Sequence, residues 1–177
     1  MRNNKQKGFS LIELLIVVAI ILIIAAIAIP NLLRSKMAAN EASAVAALRT
    51  LNTTEILYST SYNTLSPDLA SLGPDTSDGG VLGGATPTAA AADLVDSVLG
   101  GGVAGAAPAA AATFATKSGY TITYAPTCAA GVCGSYTIKG VPVTANGSGI
   151  RTFFTDQTGV IHVNAAGAAP TIADPPL

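Results

Sequence analysis

The sequence predicts an α+β fold in which a long N-terminal α-helix packs on a C-terminal antiparallel β-sheet of about four strands. Three observations support this prediction. Residues 9–29 are apolar except for Ser10 and Glu13, residues 31–62 contain neither glycine nor proline, and the chain from about residue 117 alternates apolar and polar side chains. The first two patterns are typical of helices and the third is typical of strands. The helix is expected to have a hydrophobic first half and an amphipathic second half.

The composition argues against several functional classes. Only 11% of the 177 residues are charged, the net charge is −1, and there is no basic patch after residue 7. Nucleic acid is therefore not expected as the primary partner. The chain has a single histidine, His162, and neither a glycine-rich phosphate loop nor a carboxylate cluster. No catalytic residue, cofactor or metal site is predicted, and the protein is not expected to be an enzyme.

The N-terminal segment has the features of a membrane anchor. Arg2, Lys5 and Lys7 precede the apolar run without an offsetting acid. By the positive-inside rule, this end lies in the cytoplasm. As a helix, residues 9–29 would be about 31 Å long, close to the thickness of the bilayer hydrocarbon. The sequence therefore predicts a single pass through the inner membrane, with the remainder of the chain outside the cytoplasm.

Two alternatives to a specialised anchor stay open at this point. The segment could be a plain single-pass anchor. It could also be a secretory signal peptide, because Ala26-Ile27-Ala28 is a small-residue cleavage site, and its removal would release a soluble head acting as a binding module. The apolar run is longer than a usual signal-peptide core, and it keeps Glu13, a residue that a disposable segment does not need. Both features favour a retained helix.

The stretch KGFSLIELLIVVAIILIIAAIAIP, residues 7–30, resembles the N-terminus of type IV prepilins and of type II secretion pseudopilins. The resemblance combines Lys-Gly-Phe, the glutamate spacing, the unbroken apolar run and the proline. It implies that residues 1–8 are a leader, which a prepilin peptidase removes by cutting between Gly8 and Phe9. It also implies that Phe9 is N-methylated, and that Pro30 matches the proline that kinks the helix in this family.

The same resemblance gives Glu13 a role in subunit assembly. In the family, this carboxylate pairs with the α-amine of the first mature residue of a neighbouring subunit, here Phe9. A free α-amine has a reference pKa near 8, so it is mostly cationic at neutral pH, and methylation would keep its charge. Each pairing would remove two uncompensated charges from an apolar setting and set one subunit in register with the next.

The resemblance further implies a structural subunit of a type IV pilus-like filament, polymerised through its hydrophobic helix. Such filaments serve adhesion, twitching motility or DNA uptake. The alternative is a pseudopilin of a type II secretion system, which shares this N-terminus. The implied partners are identical and related pilin subunits, the prepilin peptidase, and an inner-membrane assembly platform with its ATPase. The chain would sit in the membrane before assembly, and afterwards in an extracellular or periplasm-spanning filament.

Residues 31–62 are predicted to continue the helix and to pack on the head. Pro30 lacks an amide hydrogen and clashes with the preceding turn, so a kink is expected there. At 100° per residue one apolar stripe is expected, which Asn40 and Glu55 interrupt. The stripe consists of Leu33, Met37, Ala44, Leu48, Leu51, Tyr58 and Tyr62.

Residues 63–116 form a variable region between the helix and the sheet. The segment 63–84 is rich in turn residues. Its acids Asp75 and Asp78 fit no standard calcium loop, which leaves a cation site unsupported and mildly favours a pilus over a secretion pseudopilus. A short helix is expected over residues 89–99, and a flexible Gly/Ala loop over residues 100–112.

Residues 117–164 are predicted to be the antiparallel sheet. The two cysteines, Cys128 and Cys133, are close in sequence, and in an exported chain such a pair indicates a disulfide. This bond also mildly favours a pilus. Asp156-Gln157-Thr158-Gly159 is the expected turn of a hairpin. Residues 165–177 are expected to be a flexible tail.

Overall fold

The computed structural model describes residues 9–74, 87–101 and 113–177. Its architecture confirms the predicted α+β fold, with one long helix followed by an antiparallel sheet. The helix α1 spans Leu11–Tyr62, and a single 3₁₀ turn follows at Ala70–Leu72. The strands of the described residues are β1 (Phe114–Lys117), β2 (Tyr120–Ala129), β3 (Val132–Pro142), β4 (Thr152–Asp156) and β5 (Ile161–Asn164).

The two ends of α1 follow local rules of helix chemistry. Ser10 precedes the helix, and its backbone N–H donates to Glu13 Oε2 at 3.0 Å. This bond is half of a capping box, the Ser-x-x-Glu motif that closes a helix N-terminus. After Tyr62, Asn63 adopts the left-handed conformation (φ 61°), and its N–H donates to Ser59 O at 2.9 Å. Asparagine tolerates this conformation, so it ends the helix.

The chain divides into two compact units, one ending at Lys36 and one beginning at Met37. In the first unit, every large apolar side chain of the helix is exposed. In the second unit, α1 contributes Ala44, Leu48, Leu51 and Tyr58 to the core, as the predicted stripe requires. Leu33, assigned to the same stripe, is exposed, and that assignment is wrong because Leu33 precedes the part of the helix that contacts the sheet.

The sheet has the order β1-β2-β3-β4-β5, with every neighbouring pair antiparallel. Sequence analysis expected about four strands from residue 117 onwards. The additional strand, β1, pairs Phe114 with Thr123 and Lys117 with Tyr120. The turns from β1 to β2 and from β2 to β3 are two-residue turns, Ser118-Gly119 and Ala130-Gly131, in which all four residues have positive φ. Such turns match the twist of the flanking strands.

The core of the head unit forms where α1 faces β2, β3 and β4. Tyr58 and Leu48 meet the sheet residues there, and the Tyr120 and Phe153 rings lie 5.8 Å apart. Gly140 of β3 lies beside Leu48 and Phe153, and a Cβ at this position would be 3.7–3.8 Å from their side chains. The fully buried large side chains are Leu48, Leu51, Tyr58, Leu69, Leu72, Leu99, Tyr120, Ile122, Tyr124, Ile138 and Phe153, together with the acid Glu55.

The segment 87–101 differs from its sequence prediction. Its N-terminal residues form a turn closed by the bridge between Thr88 and Ala91, and no α-helix is assigned within residues 87–101. The backbone N–H groups of Ala92 and Leu94 instead donate to Ser71 O and Leu72 O at 2.8 and 2.9 Å. These long-range hydrogen bonds replace the i→i−4 bonds that the alanines would favour locally. The acids Asp75 and Asp78 and residues 102–112 of the Gly/Ala loop lie outside the described residues.

The C-terminal segment also differs from the flexible tail that the sequence suggests. Its backbone runs along β5, where Val163 N donates to Pro175 O and Leu177 N donates to Ile161 O. Asn164 Nδ2 donates to Asp174 Oδ1 at 2.9 Å. The segment therefore covers the open edge of β5. Its proline content hid this pairing, because Pro175 can take part only through its carbonyl.

Candidate assembly segment

The first unit of the chain presents a continuous apolar surface that no described residue of this unit covers. Its large apolar side chains from Phe9 to Leu33 are all exposed, Phe9 to 86%. Exposing such side chains to water costs roughly 1.5–3 kcal/mol each relative to burial. By length and composition, α1 contains a stretch that could cross a membrane. This surface therefore requires lipid or other protein around it.

Glu13 lies at the start of this apolar helix and is already partly engaged. Its Oε2 accepts the hydrogen bond from the Ser10 N–H, and no cation pairs with it among the described residues. Carboxylates are favoured at helix N-termini, where unpaired N–H groups carry positive partial charge. The chain thus holds one carboxylate oxygen in place and leaves the other open to a second donor. This Ser10–Glu13 motif was not predicted, although its spacing is visible in the sequence.

The other predicted residues of this segment fall in or next to the helix. Phe9 is described, whereas Gly8 lies outside the described residues, so the cleavage and the methylation at Phe9 stay predictions. Pro30 lies inside α1, which is helical on both sides of it. Its missing N–H removes one hydrogen bond to the preceding turn. The kink at Pro30 stays a prediction.

In the head unit, Glu41 fixes α1 to the chain just before β4. Its Oε1 accepts from the backbone N–H groups of Ile150 and Arg151 at 2.9 and 3.1 Å, and its Oε2 accepts from Arg151 Nε at 2.7 Å. Burial acts to raise the pKa of Glu41, but these hydrogen bonds and the Arg151 charge outweigh it and lower the pKa below its usual range. Glu41 is therefore a buried, ionised and fully paired carboxylate.

Glu55, which the sequence presents as a break in the apolar stripe, lies inside the core. It is wholly buried, and its carboxyl group contacts Ser66 and lies near Tyr124. Burial raises the pKa of Glu55 and outweighs the hydrogen bonds from Ser66 and Tyr124. Asn40, the other predicted interruption, also faces inward, and its Nδ2 donates to Ser148 O at 2.8 Å. Both residues lie on the inward face of α1 together with the apolar stripe. Their hydrogen-bond partners could not be predicted from the sequence, because only the fold brings them close.

The two cysteines join neighbouring strands near the β2–β3 turn. Cys128 and Cys133 form a disulfide with a Cα–Cα distance of 3.9 Å. On the other side of Cys133, its backbone N–H donates to Thr64 Oγ1, and Leu65 N donates to its carbonyl. The bonded hairpin is thereby attached to the residues that follow α1. Within the described residues, no group of three or more potential ligands could hold a metal ion.

Comparisons with known proteins point in the same direction as the geometry. Residues 3–29 match the prokaryotic N-terminal methylation motif. The chain is 44% identical over 72 residues to the type IV wide pilus major component PilA4 of Thermus thermophilus, covering 41% of this chain and 53% of the relative. It is 47% identical over 53 residues to the type IV major pilin protein PilA of Myxococcus xanthus, covering 30% of this chain and 24% of the relative.

The chain therefore spans about half of one of these relatives and about a quarter of the other. No solved structure shows a significant match. The motif and the two relatives confirm the resemblance to the type IV pilin family that the N-terminal residues indicated. The apolar part of α1 fits both membrane anchoring and a place in a surface filament.

Proposed function

From this likeness to the type IV pilin family, we propose that the chain is a structural subunit, not an enzyme, of a type IV pilus-like filament. The observation that carries the proposal is the apolar surface from Phe9 to Leu33, whose large side chains are all exposed in the described part of the chain. Before assembly, lipid would cover this apolar surface. In a filament, the corresponding helices of other copies would cover it, so the apolar side chains stay buried while lipid is replaced by protein.

Glu13 and Phe9 are proposed to set the axial register between neighbouring subunits of the filament. After cleavage between Gly8 and Phe9, the new α-amine would be cationic at neutral pH, with or without methylation. The open oxygen of Glu13 would accept a charge-assisted hydrogen bond from the Phe9 amine of a neighbouring copy. The Ser10 N–H, already bound to the other oxygen, would keep the carboxylate oriented for that bond. Ser10 is thus a positioning residue for the pair.

The proposal also covers the other partners of the chain and the steps that take it from the membrane to the filament. A prepilin peptidase removes residues 1–8, and an inner-membrane platform with an ATPase extracts the subunit. Arg2, Lys5 and Lys7 support a cytoplasmic N-terminus before cleavage. The finished filament is extracellular or spans the periplasm, and adhesion, twitching motility and DNA uptake are its candidate roles.

A gene deletion with complementation tests the proposal. Surface filaments are scored by electron microscopy, and secreted enzymes are assayed in the same cultures. Loss of filaments with normal secretion supports the pilin function. Loss of secretion with normal filaments overturns it in favour of a secretion pseudopilin.

Mass spectrometry of the mature chain tests the route independently. An N-terminal methyl-phenylalanine at position 9 is the expected result. A chain starting at Ile29 would instead show that the helix is a disposable signal sequence and that the head is released.

A further inference from the structure

Glu55 is a fully buried acid that the proposed assembly does not use. It lies on the part of α1 that faces the sheet, and its relative exposure is 0%. The two ion pairs found among the described residues, Arg151–Glu41 and Lys117–Asp96, involve other carboxylates. A buried carboxylate without a cation is costly, and neutralisation by a proton is the usual remedy.

The hydrogen bonds around Glu55 form a short chain of oxygen atoms. Ser66 Oγ lies 2.5 Å from Glu55 Oε1 and 2.9 Å from Tyr124 Oη. Tyr124 Oη in turn lies 2.9 Å from the backbone carbonyl oxygen of Ser66. The other carboxyl oxygen, Oε2, accepts from the Ser66 backbone N–H at 3.1 Å. All the polar groups of Ser66 are therefore engaged by Glu55 and Tyr124.

The hydrogens available along this chain favour a neutral acid. The Ser66 carbonyl can only accept, and the hydroxyls of Ser66 and Tyr124 carry one hydrogen each. Those two hydrogens would have to serve three contacts, Ser66 O–Tyr124 Oη, Ser66 Oγ–Tyr124 Oη and Ser66 Oγ–Glu55 Oε1, as well as the hydrogen bond from Tyr124 to Glu55. A protonated Glu55 supplies a third hydrogen, which an ionised carboxylate lacks.

We propose that Glu55 is held as a neutral carboxylic acid that donates to Ser66 Oγ, and that it acts as a pH-sensitive latch between α1, residues 63–69 and β2. The latch is closed while Glu55 is protonated. Ionisation removes the donor and places a negative charge in the core, which weakens the attachment of Ser66. The inference concerns the head unit and does not rest on the proposed function.

Among the described residues, no positive charge near Glu55 stabilises its ionised form. The titratable side chains that interact with it are phenols: Tyr58 on α1, Tyr124 on β2 and Tyr136 on β3. Burial, and next the charge that Glu55 would carry, raises the pKa of Tyr136 to about 12 and also raises that of Tyr124. These phenols stay neutral where carboxyl groups titrate. Asp68, from the loop, interacts with Tyr58 and is a further carboxyl group, so it supplies no positive charge.

The latch controls the path of the chain after the helix. Ser66 is followed by Leu69 and Leu72, both fully buried, and residues 71–73 carry the hydrogen bonds that hold the segment 87–101. Just before Ser66, Thr64 and Leu65 bond to Cys133. When Glu55 ionises, loosening is therefore expected between Ser66 and the segment 87–101. The attachment of α1 through Glu41 is expected to stay in place.

Nuclear magnetic resonance of the full chain in detergent micelles tests the proton directly. The chain has three glutamates, Glu13, Glu41 and Glu55, so selective ¹³C labelling of glutamate gives three carboxyl signals. Single Glu→Gln variants assign them. The Glu55 carboxyl is expected to ionise above the ordinary carboxyl range, whereas Glu41 is expected to ionise below it. Ionisation of Glu55 within or below the ordinary range would overturn the proposal.

Thermal unfolding against pH tests the latch. Glu55→Gln keeps the shape and supplies an amide donor to Ser66 Oγ, but it does not titrate. Since the pKa of Glu55 is raised on folding, its stabilising effect is complete below the ordinary carboxyl pKa and is lost as pH rises through the folded value. The unfolding midpoint of the wild type is thus expected to fall relative to Glu55→Gln as pH rises from about 4.5. A difference that stays constant with pH would contradict the latch.

Glu41→Gln is the matched control, because it alters a second buried acid of the same helix. Its midpoint is expected to shift with pH in the opposite sense, the variant falling below the wild type as pH rises. If both variants move in the same direction, the pH dependence is not specific to Glu55 and the proposal fails.

Discussion

The two halves of α1 belong to one continuous helix, but their apolar side chains differ in burial. Residues 11–36 expose every large apolar side chain, whereas residues 37–62 bury Leu48, Leu51 and Tyr58 in the head. Their acids follow the same division. Glu13 is exposed with one local hydrogen bond, and Glu41 and Glu55 are buried with partners from distant parts of the chain. The second half completes a fold, and the first half needs something outside the molecule.

The largest expected effect comes from substituting Glu13, the single acid of residues 11–36. Glu13→Gln and Glu13→Leu are expected to abolish filaments while leaving the chain in the membrane. Leaving an amine without its partner in an apolar setting costs about 3–5 kcal/mol, on the order of a hundredfold or more in the equilibrium for adding a subunit. Electron microscopy and immunoblots of membranes provide the measurement. Glu41→Gln, the control in the other half, should keep filaments, and normal filaments in both Glu13 variants would refute the pairing.

The second prediction compares one leucine from each half. Leu48→Ala removes a fully buried side chain, and a loss of about 2–5 kcal/mol in the unfolding free energy of the head is expected. Leu15→Ala removes an exposed one, and a change within about 0.5 kcal/mol is expected. All five tyrosines lie between residues 58 and 136, so tyrosine circular dichroism during denaturant unfolding reports on the head alone. Equal effects would mean that the two halves are not independent.

The third prediction weakens the head without touching α1. Replacing Cys128 and Cys133 together by serine is expected to cost about 2 kcal/mol, the loop-entropy value for a short loop. The denaturation midpoint of the head should fall, and the wild type under reducing conditions should match the variant. Filament assembly should persist at temperatures where the head stays folded. A stable head with no loss of midpoint would show that the hairpin and the contacts of Thr64 already hold this region.

The last prediction concerns Glu41, and it gives the sign of a pH dependence as well as a size. Glu41→Gln is expected to lower the unfolding free energy by about 1–3 kcal/mol at neutral pH, because it removes the charge from three hydrogen bonds. The pKa of Glu41 is lowered on folding, so its contribution is complete above about 4.5 and is lost as pH falls through the folded value. Unfolding at several pH values measures this. A loss that grows at acid pH would contradict the assignment.

The sequence alone was sufficient for elements with a local or periodic signal. The apolar run, the stripe through Ala44, Leu48, Leu51 and Tyr58, and the alternation of the strands each depend on near neighbours. Those signals gave the helix, the sheet and the core face. The motif at residues 3–29 was equally accessible, because it is a short contiguous pattern.

The sequence was insufficient where partners come from far along the chain. Glu55 looked like an interruption because Ser66 and Tyr124 are brought to it only by the fold. Residues 89–99 looked helical because alanine favours helices, but hydrogen bonds to residues 71–73 decided their conformation. The buried role of Glu41 was missed for the same reason, because its partners Ile150 and Arg151 lie more than a hundred residues away.

Because the C-terminal segment covers β5, this edge of the sheet cannot pair with the sheet of a neighbouring head. An open strand edge presents unpaired amides and carbonyls and invites sheet-to-sheet joining between molecules. In a polymer, heads are held side by side at very high local concentration, where such joining would compete with ordered growth. Because Pro175 and Leu177 occupy the amide and carbonyl positions of β5, that edge is blocked, and pairing through it cannot compete with the proposed contacts of the apolar half of α1.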